Sequence, residues 1–255
     1  MIEQPGGTAE TTGRSLRTEG LTKAFGGVMA VNDATVEMVH GKINGLIGPN
    51  GSGKTTFFNL VTGMIPADAG RIYYAGRDIT RHSPHRIAHL GLGRTFQLCR
   101  IFPRMTVMEN MLVAVRRTRL RELLAGNHAK AEVERARYWL RRVGIEHLER
   151  AEARNLSFGQ QKLLELAGVF MGDPELVLLD EPAGGINPSL IDRIATLVRE
   201  LNAEGRTFLI VEHNMDLVMG ICDHVIVFDR GTPIAVGTPS VVQNDPRVLE
   251  AYLGV

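Results

Sequence analysis

The sequence predicts an α/β fold in which short apolar strands carry polar residues at their carboxyl ends. Three strand-sized apolar runs support this prediction. Residues 41–47 lead into a glycine-rich loop, residues 176–179 are followed by two acids, and residues 208–211 are followed by a glutamate and a histidine. Continuous apolar runs of this length are typical of parallel strands that are buried on both faces. Ligands of such folds bind at the carboxyl ends of the strands.

The glycine-rich loop carries the most specific motif in the chain. Residues 48–55 read Gly-Pro-Asn-Gly-Ser-Gly-Lys-Thr, which fits the phosphate-binding pattern G-x-x-x-x-G-K-[ST]. A strand before the loop and helical spacing after it supply the context that the motif requires, and a chance glycine-rich turn is the alternative. Glycines let backbone N–H groups surround an anion, and the helix N-terminus adds partial positive charge. We expect a nucleoside triphosphate to bind through Gly48, Pro49, Asn50, Gly51, Ser52, Gly53, Lys54, Thr55 and Thr56.

The composition narrows the function classes. The chain has 255 residues, is 44% hydrophobic and 22% charged, and carries a formal net charge of +1, so nothing in it favours nucleic acid as a partner. No apolar run approaches the roughly 18 residues that a membrane helix needs. Cys99 and Cys222 lack metal-site spacing and are expected to be reduced, buried thiols. Residues 1–15 are predicted to form a flexible tail without a secretory signal.

The first part of the chain predicts strands and one short helix around the phosphate loop. Ser83-Pro84 is typical of a helix start, and residues 92–96 resemble a strand that ends at Gln97. Turn residues separate further strand-like segments, which we expect to form an antiparallel β subdomain, at residues 16–22, 31–38 and 71–74.

A helical insertion is predicted from residue 98 to residue 155. Thr106 and Glu109 match a capping box, which places a helix start at about Val107. Residues 114–154 are helical in pattern and contain eleven Arg or Lys against six Asp or Glu. A solvated face is the favoured explanation of that charge, and contact with anionic lipid is the alternative. The insertion would separate two parts of one α/β core, residues 16–97 and 156–255, within a single domain of residues 16–255.

Beyond the insertion, the sequence predicts the second half of a nucleotide site. Ser157 and Gln160 match another capping box, which starts a helix that runs to about Met171. Asp180, at the end of an apolar strand, is expected to hold Mg²⁺, with a helix cap as the alternative. Glu181 is expected to deprotonate an attacking water, with a structural salt bridge as the alternative. The remaining pattern predicts a helix from Pro188, a strand at 208–211, a hairpin around residues 230–231 and two terminal helices.

Residues 156–161, which read Leu-Ser-Phe-Gly-Gln-Gln, resemble the signature of the ATP-binding cassette (ABC) family. The resemblance covers the chain from about residue 16 to its end. It implies a P-loop NTPase core with an inserted α-helical signature subdomain, and ATP and Mg²⁺ as cofactors. By resemblance, Gln97 and His213 contact the Mg²⁺, the water and the γ-phosphate, and Phe25 stacks on adenine. The ATP of a second copy, bound head to tail, would meet Ser157, Gly159 and Gln160.

Several further motifs narrow the resemblance. The signature has Phe158 where glycine is usual, and the segment expected to cross the dimer seam has Asn187 where aspartate is usual. With residues 94–97, 101–103, 106–110 and 250–254, the pattern is similar to the ATPase subunit of branched-chain amino acid importers. That resemblance implies a homodimer, or a heterodimer with a paralogous ATPase subunit, on two transmembrane permease subunits. It also implies an extracytoplasmic solute-binding protein as an indirect partner, and a peripheral position on the cytoplasmic face of the inner (plasma) membrane.

Three other functions stay open from the sequence. A phosphate-loop kinase would need neither the signature nor the helical insertion. A soluble ABC protein acting on DNA or ribosomes resembles tandem cassettes or cassettes split by coiled coils, whereas this chain has one cassette and no sustained heptads. An ABC ATPase for another cargo, such as urea or a lipid, has the same motifs, because other polypeptides select the cargo.

Overall fold

The computed structural model describes residues 16–96, 100–115 and 130–253. In chain order its strands are β1 (Leu16–Phe25), β2 (Val28–Glu37), β3 (Ile43–Ile47), β4 (Ala69–Tyr74), β5 (Arg77–Asp78), β6 (Leu92–Arg94), β7 (Leu176–Asp180), β8 (Thr207–Val211), β9 (His224–Asp229) and β10 (Thr232–Gly237). Its α-helices are α1 (Lys54–Val61), α2 (Pro84–His89), α3 (Val107–Val113), α4 (Lys130–Val143), α5 (Phe158–Met171), α6 (Pro188–Ala203), α7 (Met215–Ile221), α8 (Pro239–Gln243) and α9 (Pro246–Leu253). The predicted α/β fold is confirmed.

Two sheets organise the described part of the chain. The central sheet has the strand order β10-β9-β3-β8-β7-β6, in which β10 is antiparallel to β9 and the other neighbours are parallel. The second sheet has the order β2-β1-β4-β5 and is antiparallel throughout, as predicted for the β subdomain. Because β3, β7 and β8 run parallel, their carboxyl ends meet at one edge of the central sheet.

The central sheet separates two hydrophobic cores. Alternate residues of each strand point to opposite faces, so Leu176 and Leu178 of β7 pack with α1 and the antiparallel sheet. Val177 and Leu179 of the same strand pack into the other core, with α3 to α7. Burial on both faces explains why these strands are continuously apolar in sequence. Within residues 16–96, 100–115 and 130–253, every helix is too short or too polar to cross a bilayer.

Local signals placed most elements correctly. The capping box of Thr106 and Glu109 is present at the start of α3, and that of Ser157 and Gln160 is present at the start of α5. The helix α7 was not predicted, and β1 extends to Phe25, beyond the strand expected at residues 16–22. The expected tail of residues 1–15 and the thiol of Cys99 lie outside the described residues, whereas Cys222 is buried as expected.

Candidate nucleotide site

The phosphate loop connects β3 to α1 and depends on glycine at two close approaches. Gly48 has φ +148°, and a Cβ there would lie 2.0 Å from the carbonyl oxygen of Phe228. Gly53 has φ +99°, and a Cβ there would lie 2.2 Å from the carbonyl oxygen of Ala30. Any other residue would force the loop away from its neighbours. The loop therefore keeps its shape because β9 and β2 press against it.

Lys54 lies across the loop as its first helical residue. Its side chain is buried, and Nζ donates to the carbonyl oxygens of Gly48 at 2.7 Å and Pro49 at 2.8 Å. Burial lowers the pKa of the Lys54 ammonium, and the negative charge of Glu181 opposes that shift. The lysine is thus held against the backbone of the loop, and its charge interacts with the carboxylate of Glu181, which follows β7.

The loop fits an anion at the start of α1. The N-cap residue is Gly53, which has no side chain, so no N-cap side chain accepts hydrogen bonds from the first amides of α1. These amides and the Lys54 ammonium are suited to phosphate oxygens. Thr55 is exposed and Thr56 is half-buried in the next two positions, while Asn50 is exposed at the tip of the loop.

Asp180 is the last residue of β7 and is almost fully buried. Its Oδ2 accepts a hydrogen bond from Nη2 of Arg94 at 3.3 Å, and its backbone N–H donates to Oγ1 of Thr95 at 3.1 Å. Burial raises the pKa of the Asp180 carboxyl above its ordinary range, and the Arg94 guanidinium opposes that shift. Arg94 also donates to Oγ1 of Thr62 at 2.6 Å. A carboxylate oxygen here and the Thr55 hydroxyl are the hard oxygen donors that Mg²⁺ prefers.

Glu181 follows Asp180, and its carboxylate contacts a different partner. Its Oε1 lies 2.7 Å from Nε2 of His213, which follows β8 by two residues. The backbone of Glu181 is left-handed, with φ +48°, a conformation that costs a residue other than glycine of the order of 1–3 kcal/mol. Strained residues of this kind cluster at functional sites. One edge of the central sheet carries Lys54, Glu181 and His213, because they follow the parallel strands β3, β7 and β8.

The signature residues lie on a different surface. Ser157 is exposed at the tip of α5, where its Oγ accepts from the Gln160 N–H at 3.3 Å and its own N–H donates to Gln160 Oε1 at 2.9 Å. Gly159 packs so closely on α6 that a Cβ would lie 2.5 Å from Cδ2 of Leu190. These residues line one cavity with Asn187, the N-cap of α6, and neither Lys54 nor Glu181 borders it.

Of two further predicted site residues, Phe25 is described by the structure and Gln97 is not. Phe25 lies at the end of β1 with 49% of its surface exposed, and the ammonium of Lys23 lies 5.4 Å from the centre of its ring. About half of this side chain is therefore accessible from solvent. Gln97, predicted as a catalytic and metal residue, lies outside the described residues.

The structure adds three residues to the site that the sequence did not assign. Arg94 pairs with Asp180, and Lys162 donates to the backbone of Glu181. Glu212 is buried at the end of β8, where its carboxylate accepts from the N–H groups of Ala183 at 2.6 Å and His213 at 3.0 Å. Glu212 carries the same signal as Asp180, an acid directly after an apolar strand. Arg94 and Lys162 give no comparable signal, because basic residues are frequent in the chain.

Family profiles and known relatives both match this chain to ATP-binding subunits of ABC transporters. The profile described as ABC transporter matches residues 31–184, and the profile described as branched-chain amino acid ATP-binding cassette transporter matches residues 232–255. A relative from Archaeoglobus fulgidus, named probable branched-chain amino acid transport ATP-binding protein LivG, is 43% identical over 244 residues, which are 94% of this chain and 95% of the relative. A Salmonella typhimurium protein, named high-affinity branched-chain amino acid transport ATP-binding protein LivG, is 43% identical over 249 residues, with 94% and 97% covered.

Solved structures agree with these relatives. A nucleotide-free ATP-binding cassette from an ABC transporter superposes with a TM-score of 0.83 at 36% identity, over 95% of this chain and 100% of that one. The ADP conformation of an ATP-binding cassette of an ABC transporter superposes with a TM-score of 0.82 at 37% identity, over 95% and 99%.

Proposed function

The chain belongs to the ABC transporter family as an ATP-binding, ATP-hydrolysing subunit, and we propose that its ATP hydrolysis powers the import of branched-chain amino acids. The observation that carries the catalytic part is the placement of Lys54, Glu181 and His213 at one sheet edge, with the Lys54 ammonium coupled to the charge of Glu181. The match of residues 232–255 to the branched-chain profile and the names of the relatives support the cargo, and favour it over urea or a lipid.

ATP binding uses the loop amides and the start of α1. The Lys54 ammonium leaves the carbonyl oxygens of Gly48 and Pro49 for the outer phosphates, since a charged acceptor forms a stronger hydrogen bond than a carbonyl. Phe25 offers its exposed face to adenine. Mg²⁺, when bound, neutralises charge on the phosphates, and the residues that would hold it are Thr55, Asp180 and Gln97.

Hydrolysis depends on the carboxylate of Glu181. We assign Glu181 as the general base that takes a proton from the attacking water, because it follows β7 at the sheet edge that carries the phosphate loop and its negative charge acts on the Lys54 ammonium. The 2.7 Å contact between Oε1 of Glu181 and Nε2 of His213 fixes the direction of that carboxylate. We propose that His213 hydrogen-bonds the γ-phosphate and the attacking water when ATP is bound.

The second ATP-binding surface belongs to a partner subunit. Ser157 is exposed and Gly159 and Gln160 are half-buried at a helix start whose cavity is not bordered by the phosphate loop of the same chain. A helix start with a serine and a glycine is suited to an anion. We therefore propose a head-to-tail dimer, with an identical or a paralogous ATPase subunit, in which each signature end completes the nucleotide site of the other chain.

The energy of hydrolysis would be used in a transporter complex. The family works with membrane permease subunits, and we propose two transmembrane permease subunits, a solute-binding protein on the far side and a peripheral position on the cytoplasmic face of the membrane. A short apolar segment lies soon after residues 97–99 and contains Ile101, Phe102, Pro103 and Met105. Phe102 is 51% exposed. That exposed apolar residue supports a permease contact in this segment.

Two variants of the full chain test the catalytic assignment. Glu181→Gln should bind ATP with wild-type affinity and hydrolyse it about 10²–10⁴-fold more slowly, because it loses the base and keeps the shape. It should also accumulate an ATP-dependent dimer in size-exclusion chromatography. Lys54→Ala should lose ATP binding in equilibrium dialysis. Native-rate hydrolysis by Glu181→Gln would refute the base assignment, and normal ATP binding by Lys54→Ala would refute the role of the loop lysine.

The cargo is tested with the native complex. Purification of the chain with its membrane partners, followed by reconstitution in vesicles, should give ATP-dependent uptake of labelled leucine, isoleucine or valine. Uptake of urea or a lipid without any response to these amino acids would overturn the proposed cargo and leave the ATPase assignment intact.

A further inference from the structure

A second buried lysine, on the helix that starts at the signature, has no part in the mechanism above. Among the residues that the structure describes, Lys54 and Lys162 are the lysines that are buried, and Lys162 is only 8% exposed. Burial of an ammonium is unfavourable unless the charge is hydrogen-bonded. Lys54 is buried at the phosphate loop, where it serves the nucleotide. The burial of Lys162 calls for a separate physical reason.

The partner of Lys162 is the backbone of the proposed base. Nζ of Lys162 donates to the carbonyl oxygen of Glu181 at 2.8 Å, and the same oxygen accepts from the Gly184 N–H at 3.0 Å. The Glu181 N–H donates to the carbonyl oxygen of Val211 at 2.9 Å. The left-handed backbone of Glu181 is therefore held on its N–H side by β8 and on its carbonyl side by α5. Because the backbone sets the direction of Cβ, these bonds help to aim the carboxylate.

A second side chain of α5 holds the other segment that leads to the nucleotide. Glu165 lies three positions after Lys162, on the same face of the helix. Its Oε1 accepts from the N–H groups of Phe96 at 3.0 Å and Arg100 at 3.4 Å, the described residues on either side of positions 97–99. One helix thus fixes two strand-end segments of its own subunit, while its exposed Ser157 end faces outward.

We propose that Lys162 is a positioning residue for Glu181. Through Lys162, the binding of a partner's nucleotide at the Ser157 end of α5 sets the position of the base in the chain's own site. The inference rests on the proposed function, which assigns Glu181 as the base and Ser157 to the partner's nucleotide. Ser157 is the N-cap of α5 and Lys162 lies five positions later in the same helix, so a shift of the helix start would also shift the ammonium and the carbonyl bonded to it. A misplacement of about 1 Å in a site can lower the rate by about 10²-fold.

Three lysine variants of the full chain test the inference. Lys162→Met keeps the length and the apolar stem but removes the donor, and Lys162→Arg keeps a charged donor. Lys130→Met is the matched control, because Lys130 is exposed at the start of α4. The kcat of ATP hydrolysis should fall roughly 10- to 100-fold in Lys162→Met, while ATP affinity, measured separately by equilibrium dialysis, stays within about twofold. Lys162→Arg should recover much of the rate, and Lys130→Met should match the wild type.

A double-mutant cycle separates positioning from a general structural role. If Lys162 acts through Glu181, Lys162→Met should add little to the loss already caused by Glu181→Gln, measured as single-turnover hydrolysis of labelled ATP. An additional loss of the full single-mutant size would overturn the inference. So would a wild-type kcat in Lys162→Met. If thermal unfolding shows that Lys162→Met is unfolded, Lys162→Gln takes its place with the same two criteria.

The rates of two variants distinguish the positioning role of Lys162 from the base role of Glu181. A native rate in Lys162→Met together with slow Glu181→Gln overturns the positioning role alone and leaves the base in place. A native rate in Glu181→Gln overturns the base assignment, and the positioning role with it.

Discussion

Gly48→Ala is the most direct test of how tightly the phosphate loop is built. A Cβ at this position would lie 2.0 Å from the carbonyl oxygen of Phe228 and 2.7 Å from Oγ of Ser52, whereas ordinary contacts begin at 3.4 Å. The first neighbour is backbone of β9 and cannot rotate away, so the loop has to move by more than about 1 Å. Forced overpacking costs about 1–3 kcal/mol, and the positive φ adds about 1–3 kcal/mol.

Gly48→Ala should therefore lower the free energy of unfolding by about 2–6 kcal/mol, a large share of the roughly 5–15 kcal/mol that is typical of a domain. In thermal unfolding this corresponds to a Tm lowered by about 4 °C or more. Gly51→Ala is the matched control, because Gly51 also has a positive φ, +78°, but its Cβ would meet no atom within 4 Å. It should lose only the conformational part. Equal Tm values for the two variants would refute the steric argument.

Other predictions concern the stability and reactivity of the chain. Hydrogen bonds from Thr106 hold the pKa of Glu109 below its ordinary value of 4.5, so the stability that the Glu109 carboxylate contributes is present above that pH and is lost as the pH falls through the folded pKa. Urea titrations should therefore show wild type exceeding Glu109→Gln at pH 7 and the difference shrinking towards pH 3. Burial raises the pKa of Cys222 to about 12, so iodoacetamide at pH 8 should leave Cys222 unlabelled in peptide mapping until urea unfolds the chain, and prompt labelling would contradict the burial. Trp139 stacks on Phe170 with ring centres 4.7 Å apart, so Trp139→Ala should lower the free energy of unfolding by about 3–5 kcal/mol, and a loss below about 1 kcal/mol would show that this core rearranges freely.

The sequence predicted the parts of the fold that depend on neighbours within a few positions. The cap at Ser157 depends on Gln160, three positions away, and the cap at Thr106 depends on Glu109, also three positions away. The motif of the phosphate loop is local as well, but its close approaches to β9 and β2 are set by the tertiary structure. The helix α7 was missed because it is only seven residues long, and its apolar residues Leu217 and Val218 are stabilised by packing rather than by a long periodic pattern.

Sequence alone also determined which residue types are available to the candidate site, since acids that directly follow apolar strands have to emerge at the sheet edge. Only the tertiary structure decided how those acids are used. Asp180 is paired with Arg94, 86 residues away, and Glu181 with His213, 32 residues away. Lys162 reaches the Glu181 carbonyl from a helix 19 residues earlier. Such contacts depend on the packing of α5 and on the parallel order of β7 and β8, because no local pattern records which distant side chain will fill a given place.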